Sequence, residues 1–344
     1  MSEAISLMGA PGSPYTRKML AVLRYRRIPY RFLAAGSAQA EALPKPRVAL
    51  MPTFYFPSAA GGLEAVTDST PIIRRLEGLY AGRSLIPTDP AGAFVDALVE
   101  DYADEWLTKP MFHYRWTYPA DIAKAAKVLP AWRNPTMDEA TLARAAQFVG
   151  ERQIGRLGVV GSNPVTGPVI EDSYRRFLAA FEAHLAAHRF VLGGRPSACD
   201  FAIFGQLTQL AAFDPTPMAI AAELAPRTIA WVGLVEDLSG FEDAGDDTLD
   251  LAAPPASLRA LLGEIGRLYA PVMIANARAV ASGASEATCQ VAGTAWSQAP
   301  FPYQAKCVAS LRAAREALTP GDRETVDHLL AGTGCEALFA PARP

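Results

Sequence analysis

The chain has 344 residues, 50% of them hydrophobic, with 32 basic and 35 acidic side chains for a net charge of −3. That length suits about two domains with sizeable cores, and the near balance of charge argues against a main role on nucleic acid or an anionic membrane. No apolar run approaches the roughly 20 residues of a transmembrane helix, and no basic segment with a following apolar stretch opens the chain, so a cytoplasmic protein acting on a small molecule is expected. In chain order, residues 4–8 form a short apolar strand that enters Gly9-Ala10-Pro11-Gly12-Ser13-Pro14-Tyr15-Thr16-Arg17-Lys18 and then an amphipathic helix. Ser13 suits the N-cap and Pro14 the first helical position, which leaves unpaired N–H groups facing whatever lies in front. A thiolate or other anion is stabilised at such a point; taken alone, the same residues also describe a purely structural cap.

Residues 50–56 (Leu50-Met51-Pro52-Thr53-Phe54-Tyr55-Phe56) read as a turn proline leading into a strand, and 63–67 as a second strand after Gly61-Gly62. Asp68-Ser69-Thr70-Pro71 is expected to cap a helix with apolar residues at 72, 73 and 76. A Gly/Pro/Ser-rich connector fills 81–90. Helices are then predicted over 93–107, 138–156, 172–187, 197–213, 226–238 and 255–280, with a glycine-rich loop at 158–167. Two more follow at 303–318 and 320–330. Ser197 with Asp200 three residues on is a capping box ahead of an apolar run. Cys199, Cys289, Cys307 and Cys335 are widely spaced and form no CxxC or Cys/His cluster, so neither a metal site nor a disulfide scaffold is expected.

The stretch 100–116 has an unusual mixture of acids and aromatics. Tyr102 with Trp106 and Glu105 with Lys109 share a helix face at i,i+4, and Pro110 is expected to kink or end that helix. His113, Tyr114, Arg115 and Trp116 offer a polar and aromatic wall, with His113 an acid/base group in reach of neutral pH. Equally, the acids form a solvated or inter-domain face and the aromatics belong to the core.

The order strand, helix, strand, variable stretch, proline, strand, strand, Asp-Ser, helix resembles the thioredoxin-like N-terminal domain of the glutathione S-transferases. Ser13-Pro14-Tyr15 is similar to the Ser-Pro-Phe or Cys-Pro-Phe opening of helix 1 in the serine and cysteine classes. Met51-Pro52 resembles the family's cis-proline step and Asp68-Ser69 its acidic-Ser motif. Gly193-Gly194-Arg195-Pro196-Ser197-Ala198-Cys199-Asp200 is similar to the Gly-x-x-Pro-Ser-x-x-Asp signal of its all-helical C-terminal domain, where the role is folding.

The resemblance covers about 4–240. It implies an α/β thioredoxin-like domain at 1–81 and an all-α domain at 91–344, with 282–344 an unplaced extension beyond the family's usual length. It further implies glutathione as co-substrate, with the Ser13 hydroxyl holding the thiolate. Met51 and Pro52 would meet the cysteinyl backbone, Asp68 the γ-glutamyl ammonium and Ser69 its carboxylate. Lys45 and Arg47 are candidates for the glycyl carboxylate, and Tyr15, Trp106, His113 and Trp116 for the electrophile pocket. A homodimer is implied as well. Two departures matter: Asp stands where the family more often has Glu, and Ser rather than Cys at 13 leaves thiol transfer without its nucleophile. Conjugation to a small hydrophobic electrophile, peroxide reduction and isomerisation stay open, as does a non-catalytic binding or assembly role. The maleylacetoacetate type of isomerase ranks lower, because its Ser-rich opening is not reproduced.

Overall fold

The computed structural model describes residues 4–242 and 248–340. The outer ends of the two expected domains, 1–3 and 341–344, lie outside the described residues. The first domain is a four-stranded sheet of β1 (Ile5–Gly9), β2 (Tyr30–Ala34), β3 (Thr53–Pro57) and β4 (Leu63–Val66). The strand order is β2-β1-β3-β4, with β1 and β2 parallel and the other pairs antiparallel. Around it lie α1 (Pro14–Tyr25), the single turn α2 (Ala38–Glu41) and α3 (Ser69–Leu79). Leu7, Phe54 and Phe56 of the sheet are buried with Met19, Leu23 and Ile72 of the helices. The parallel β1-α1-β2 crossover leaves α1 starting at one end of the sheet, beside the turn that precedes β3.

The second domain begins with α4 (Pro90–Tyr102), whose N-cap Asp89 accepts from the Gly92 N–H at 2.7 Å. A wide π turn, Ala103–Leu107, joins it to α5 (Thr108–Thr117). Pro110 therefore does not end the helix: the loosened turn just before it takes up the missing N–H, and the chain stays helical to Thr117. Next come α6 (Pro119–Ala131), α7 (Glu139–Ile154), α8 (Gly167–Leu185), α9 (Ala198–Leu210), α10 (Pro215–Leu224) and α11 (Pro226–Val235). Of these, α6 and α10 were not anticipated. The expected loop at 158–167 contains a 3-10 turn, Leu157–Val160.

Helix α9 is the axle of the molecule. All thirteen of its residues are buried, and the Asp200 carboxylate accepts from the Ser197 and Val191 N–H groups, both at 2.9 Å. It crosses α1 so closely that a Cβ on Gly205 would lie 2.5 Å from the Pro14 carbonyl oxygen. A glycine is needed there for the start of α1 to rest on the second domain.

Beyond the family-like part lie α12 (Ala256–Glu264), a second π turn (Ile265–Tyr269) and α13 (Ala270–Ser282). The extension adds a hairpin of β5 (Ala287–Val291) and β6 (Thr294–Gln298), then α14 (Pro302–Glu316) and α15 (Pro320–Leu330). The hairpin is an unforeseen β element in an otherwise helical domain. Its two-residue turn has Ala292 at φ 49° and Gly293 at φ 83°, the paired positive values that match the twist of short hairpins. The extension packs onto α4 and α13, with Phe339 edge-on to Phe94 at 5.5 Å.

Candidate active site

At the start of α1, Ser13 is extended (φ −95°, ψ 119°), and its Oγ accepts from the Thr16 N–H at 3.2 Å. The same hydroxyl donates to the Met51 carbonyl at 3.3 Å. The Met51-Pro52 peptide is cis, and Met51 faces Ser13 across the gap between α1 and β3. The loop before Ser13 is held from the second domain: Arg115 Nη1 donates to the Gly12 carbonyl at 3.1 Å and Gln209 Nε2 to the Pro11 carbonyl at 3.2 Å. Arg115 is itself clamped by Asp214, with Nε 2.9 Å from Oδ1 and Nη2 2.8 Å from Oδ2.

In front of Ser13 opens a cleft of about 630 Å³ between the domains. Ser13, Tyr15 and Met51 line one wall, and Trp116 lies on the other. Tyr15 is held in place. Its hydroxyl donates to the Asp104 carbonyl at 2.8 Å, and burial, then the charges of Glu105 and Asp104, push its pKa well up. Trp116, 2% exposed, packs beside Phe112 with ring centres 6.4 Å apart.

Two expected pocket residues do not line this cleft. Trp106 is fully buried on the far side of its helix, donating to Ser173 Oγ at 3.2 Å and packing on Trp296 of the hairpin at 5.6 Å. His113 is buried between Ser162 Oγ at 2.8 Å and Glu171 Oε1 at 3.1 Å. The face of α5 turned to the cleft carries Thr108, Met111, Phe112, Arg115 and Trp116, and His113, about 100° round the helix from Phe112, points off that face; Trp106 lies in the π turn before it.

The Asp68-Ser69 corner is also arranged differently from expectation. Asp68 sits at φ 84°, a strained value for a non-glycine residue, and makes no side-chain cap bond. Its carboxylate accepts from the Tyr303 hydroxyl of α14 at 2.8 Å. Burial raises its pKa, opposed by that hydrogen bond and by the charge of Lys18. Ser69 is buried, and its Oγ accepts from Lys18 Nζ at 3.1 Å. Lys18, 1% exposed, also donates to Asp104 Oδ2 at 2.6 Å and Glu100 Oε1 at 2.8 Å. Burial alone would lower the Lys18 pKa, but the charges of Asp104 and Glu100 hold it raised. Neither Pro52, Asp68 nor Ser69 lines the cleft. Lys45 pairs with Glu41 on the surface at 2.6 Å, and Arg47 is exposed; neither lines the cleft.

Sequence reasoning missed Arg133, Arg152 and Arg156 and the aromatic Phe148, all of which line the cleft. On α7 a spacing of four puts Phe148 and Arg152 on one face, with Arg156 just past the helix end, a signal present in the sequence but indistinguishable there from a solvated face. A separate hollow of about 500 Å³ beside the β5-β6 hairpin, lined by Cys289 and Trp296, shares no residue with the cleft. Among the described residues no group of His, Cys, Asp or Glu is placed to hold a metal ion.

The glutathione S-transferase N-terminal domain family matches residues 7–84, and the glutathione S-transferase C-terminal domain family matches 138–233. The chain belongs to the glutathione S-transferase family. Its α/β thioredoxin-like first domain and helical second domain are those of that family. No curated protein matches the sequence. Among solved structures it is similar to a GST-like protein from Pseudomonas syringae, at 16% identity over 68% of this chain and 67% of that one, TM-score 0.44. It is similar as well to a glutathione S-transferase from Rhodospirillum rubrum, at 17% identity over 74% and 97% of the two chains, TM-score 0.42. A glutathione transferase family member from Pseudomonas fluorescens, with two glutathione bound, matches at 16% identity over 75% and 92%, TM-score 0.40. In this transferase-family chain no single helix among the described residues is long and apolar enough to cross a membrane.

Proposed function

We propose that the protein binds glutathione in the inter-domain cleft and activates its thiol with Ser13 for attack on a small electrophile or a peroxide. The observation that carries this is the Ser13 hydroxyl, poised at the N-terminus of α1 with its proton on the Met51 carbonyl and the cleft open in front. A free thiol has a pKa of about 8.5, so little of it is anionic at neutral pH. Turning the Ser13 proton from the Met51 carbonyl to the sulfur, beside the unpaired N–H groups of α1, favours the anion; each unit of pKa lowering is worth about 1.4 kcal/mol. The thiol proton leaves to solvent, and the sulfur is then free to attack. The Met51 backbone, beside the cis peptide, offers hydrogen-bonding groups to the cysteinyl residue in strand-like fashion.

A non-catalytic binding role is favoured by one observation: Tyr303 and Lys18 already occupy the polar groups of Asp68 and Ser69. Calorimetric titration with reduced glutathione decides between the two. Binding in the micromolar to millimolar range, followed by turnover with an electrophile or peroxide, supports the enzyme. No heat of binding removes glutathione from the cleft and leaves Ser13, Asp68 and Ser69 as structural residues.

A further inference from the structure

The cleft has two characters. Its floor is apolar, with Met111, Phe112, Trp116, Leu129, Phe148 and Val149 facing a common space. Phe148 is 66% exposed and stands at the rim of this floor. Around this floor stand Arg133, just past α6, Arg152 on α7 and Arg156, just past its end. None of the three makes an ion pair among the described residues, and no Asp or Glu lines the cleft. Arg115 also lines it, but Asp214 compensates its charge. Gln153, next to Arg152 near the end of α7, has its Oε1 buried without a hydrogen-bond partner among the described residues.

We infer that the second-substrate side of the cleft takes an anionic, planar apolar molecule, such as an aromatic carboxylate, with its ring on Phe148 over the apolar floor and its negative group on Arg152 and Arg156. Guanidinium groups pair with carboxylates through two parallel hydrogen bonds, and an apolar pocket with a few convergent polar groups is the usual form of a small-molecule site. Arg133 stands apart: its Cδ lies 3.7 Å from a Cβ position on Gly36, in the loop after β2, so it sits closer to the thioredoxin-like side. As substrate selection the inference rests on the glutathione reading above; as a binding preference it does not.

The test is calorimetric titration of the whole protein with para-nitrobenzoate and with neutral para-nitrobenzamide, in the native chain and in the double variant R152Q/R156Q, without glutathione. The native protein is expected to bind the carboxylate about tenfold more tightly than the amide, as a charge-assisted pair implies. The double variant is expected to abolish that preference while binding the amide as before. Equal binding of the two ligands by the native protein, or a preference that survives the double substitution, overturns the inference. Glutathione is titrated separately. If R152Q/R156Q loses glutathione affinity, the arginines hold a glutathione carboxylate and the inference falls. If the native protein binds no glutathione but still prefers the nitrobenzoate, only the thiol chemistry is lost and the anion site stands.

Discussion

Ser13 has one proton and two claims on it. In the free protein the Met51 carbonyl holds it while the Thr16 N–H is capped by the same oxygen. Replacing Ser13 with Ala removes both functions, and they separate by measurement. Loss of the cap costs about 1 kcal/mol of stability; loss of the thiolate donor raises the pKa of bound glutathione and lowers turnover by about 10²-fold or more, as for other donors to developing anions. Thiolate absorbance titrated against pH in S13A reads the second effect directly, and an unchanged titration curve would reduce Ser13 to a cap. Tyr303 makes the opposite prediction. Its hydroxyl competes with an incoming ammonium for the Asp68 carboxylate, so Tyr303→Phe is expected to tighten glutathione binding several-fold by calorimetry. An unchanged affinity would show that Asp68 does not touch the ligand.

At the scale of elements, the π turn between α4 and α5 gathers acids against the extension. Glu105 accepts from Gln304 Nε2 at 2.9 Å, and Asp101 accepts from the Tyr269 hydroxyl. Burial is the main cause that pushes Asp101 up to about 6 and Glu105 up to about 7; the Asp101 charge adds to the latter, against the hydrogen bond from Gln304. A carboxyl with a raised folded pKa binds protons more tightly folded than unfolded. Its neutral form is fully accommodated below the unfolded value near pH 4, and stability is lost as pH rises from there through about 6 to 7. Melting temperature is therefore expected to fall across that window, and Glu105→Gln to flatten the fall; a curve that is flat in the native protein would contradict the burial of these acids. Part of the site was legible in the sequence and part was not. The Ser13 cap, the Met51-Pro52 step and the Ser197/Asp200 box are local signals, each carried by residues within a few positions. Trp106 and His113 were expected at the cleft because the helix as a whole lines it in the resembled fold, but only one face of α5 does so, the face of Met111, Phe112, Arg115 and Trp116. Arg133, Arg152 and Arg156 become one feature only when α6 and α7 are folded against α1, and exposed arginines on a helix look solvated until then. The β5-β6 hairpin turned on Ala292 adopting positive φ, a role in which glycine or asparagine would have been legible.

For the whole molecule, the decisive contact is Lys18. It lies on the first domain's α1, and its two carboxylate partners lie on the helix that opens the second. Arg17 and Arg24 add ion pairs to Glu236 nearby at the surface, and Arg115 reaches back to Gly12. Lys18→Met would leave Asp104 and Glu100 buried together with only the looser Arg74, 3.5 Å from Glu100, to offset them, a loss expected to cost about 3–5 kcal/mol. Because the contact is shared, both domains should melt in one calorimetric transition, and the variant's melting temperature should drop for the whole chain. Two separated transitions in the native protein would show the domains to be independent.

The Tyr303 to Asp68 bond spans 235 positions of chain. During synthesis at roughly 5–20 residues per second, the thioredoxin-like domain emerges with its Asp68 corner open and waits roughly ten to fifty seconds for α14 to be made. A nascent chain therefore passes through a form whose acidic corner faces water until the tyrosine that closes it, 235 positions later, has been added.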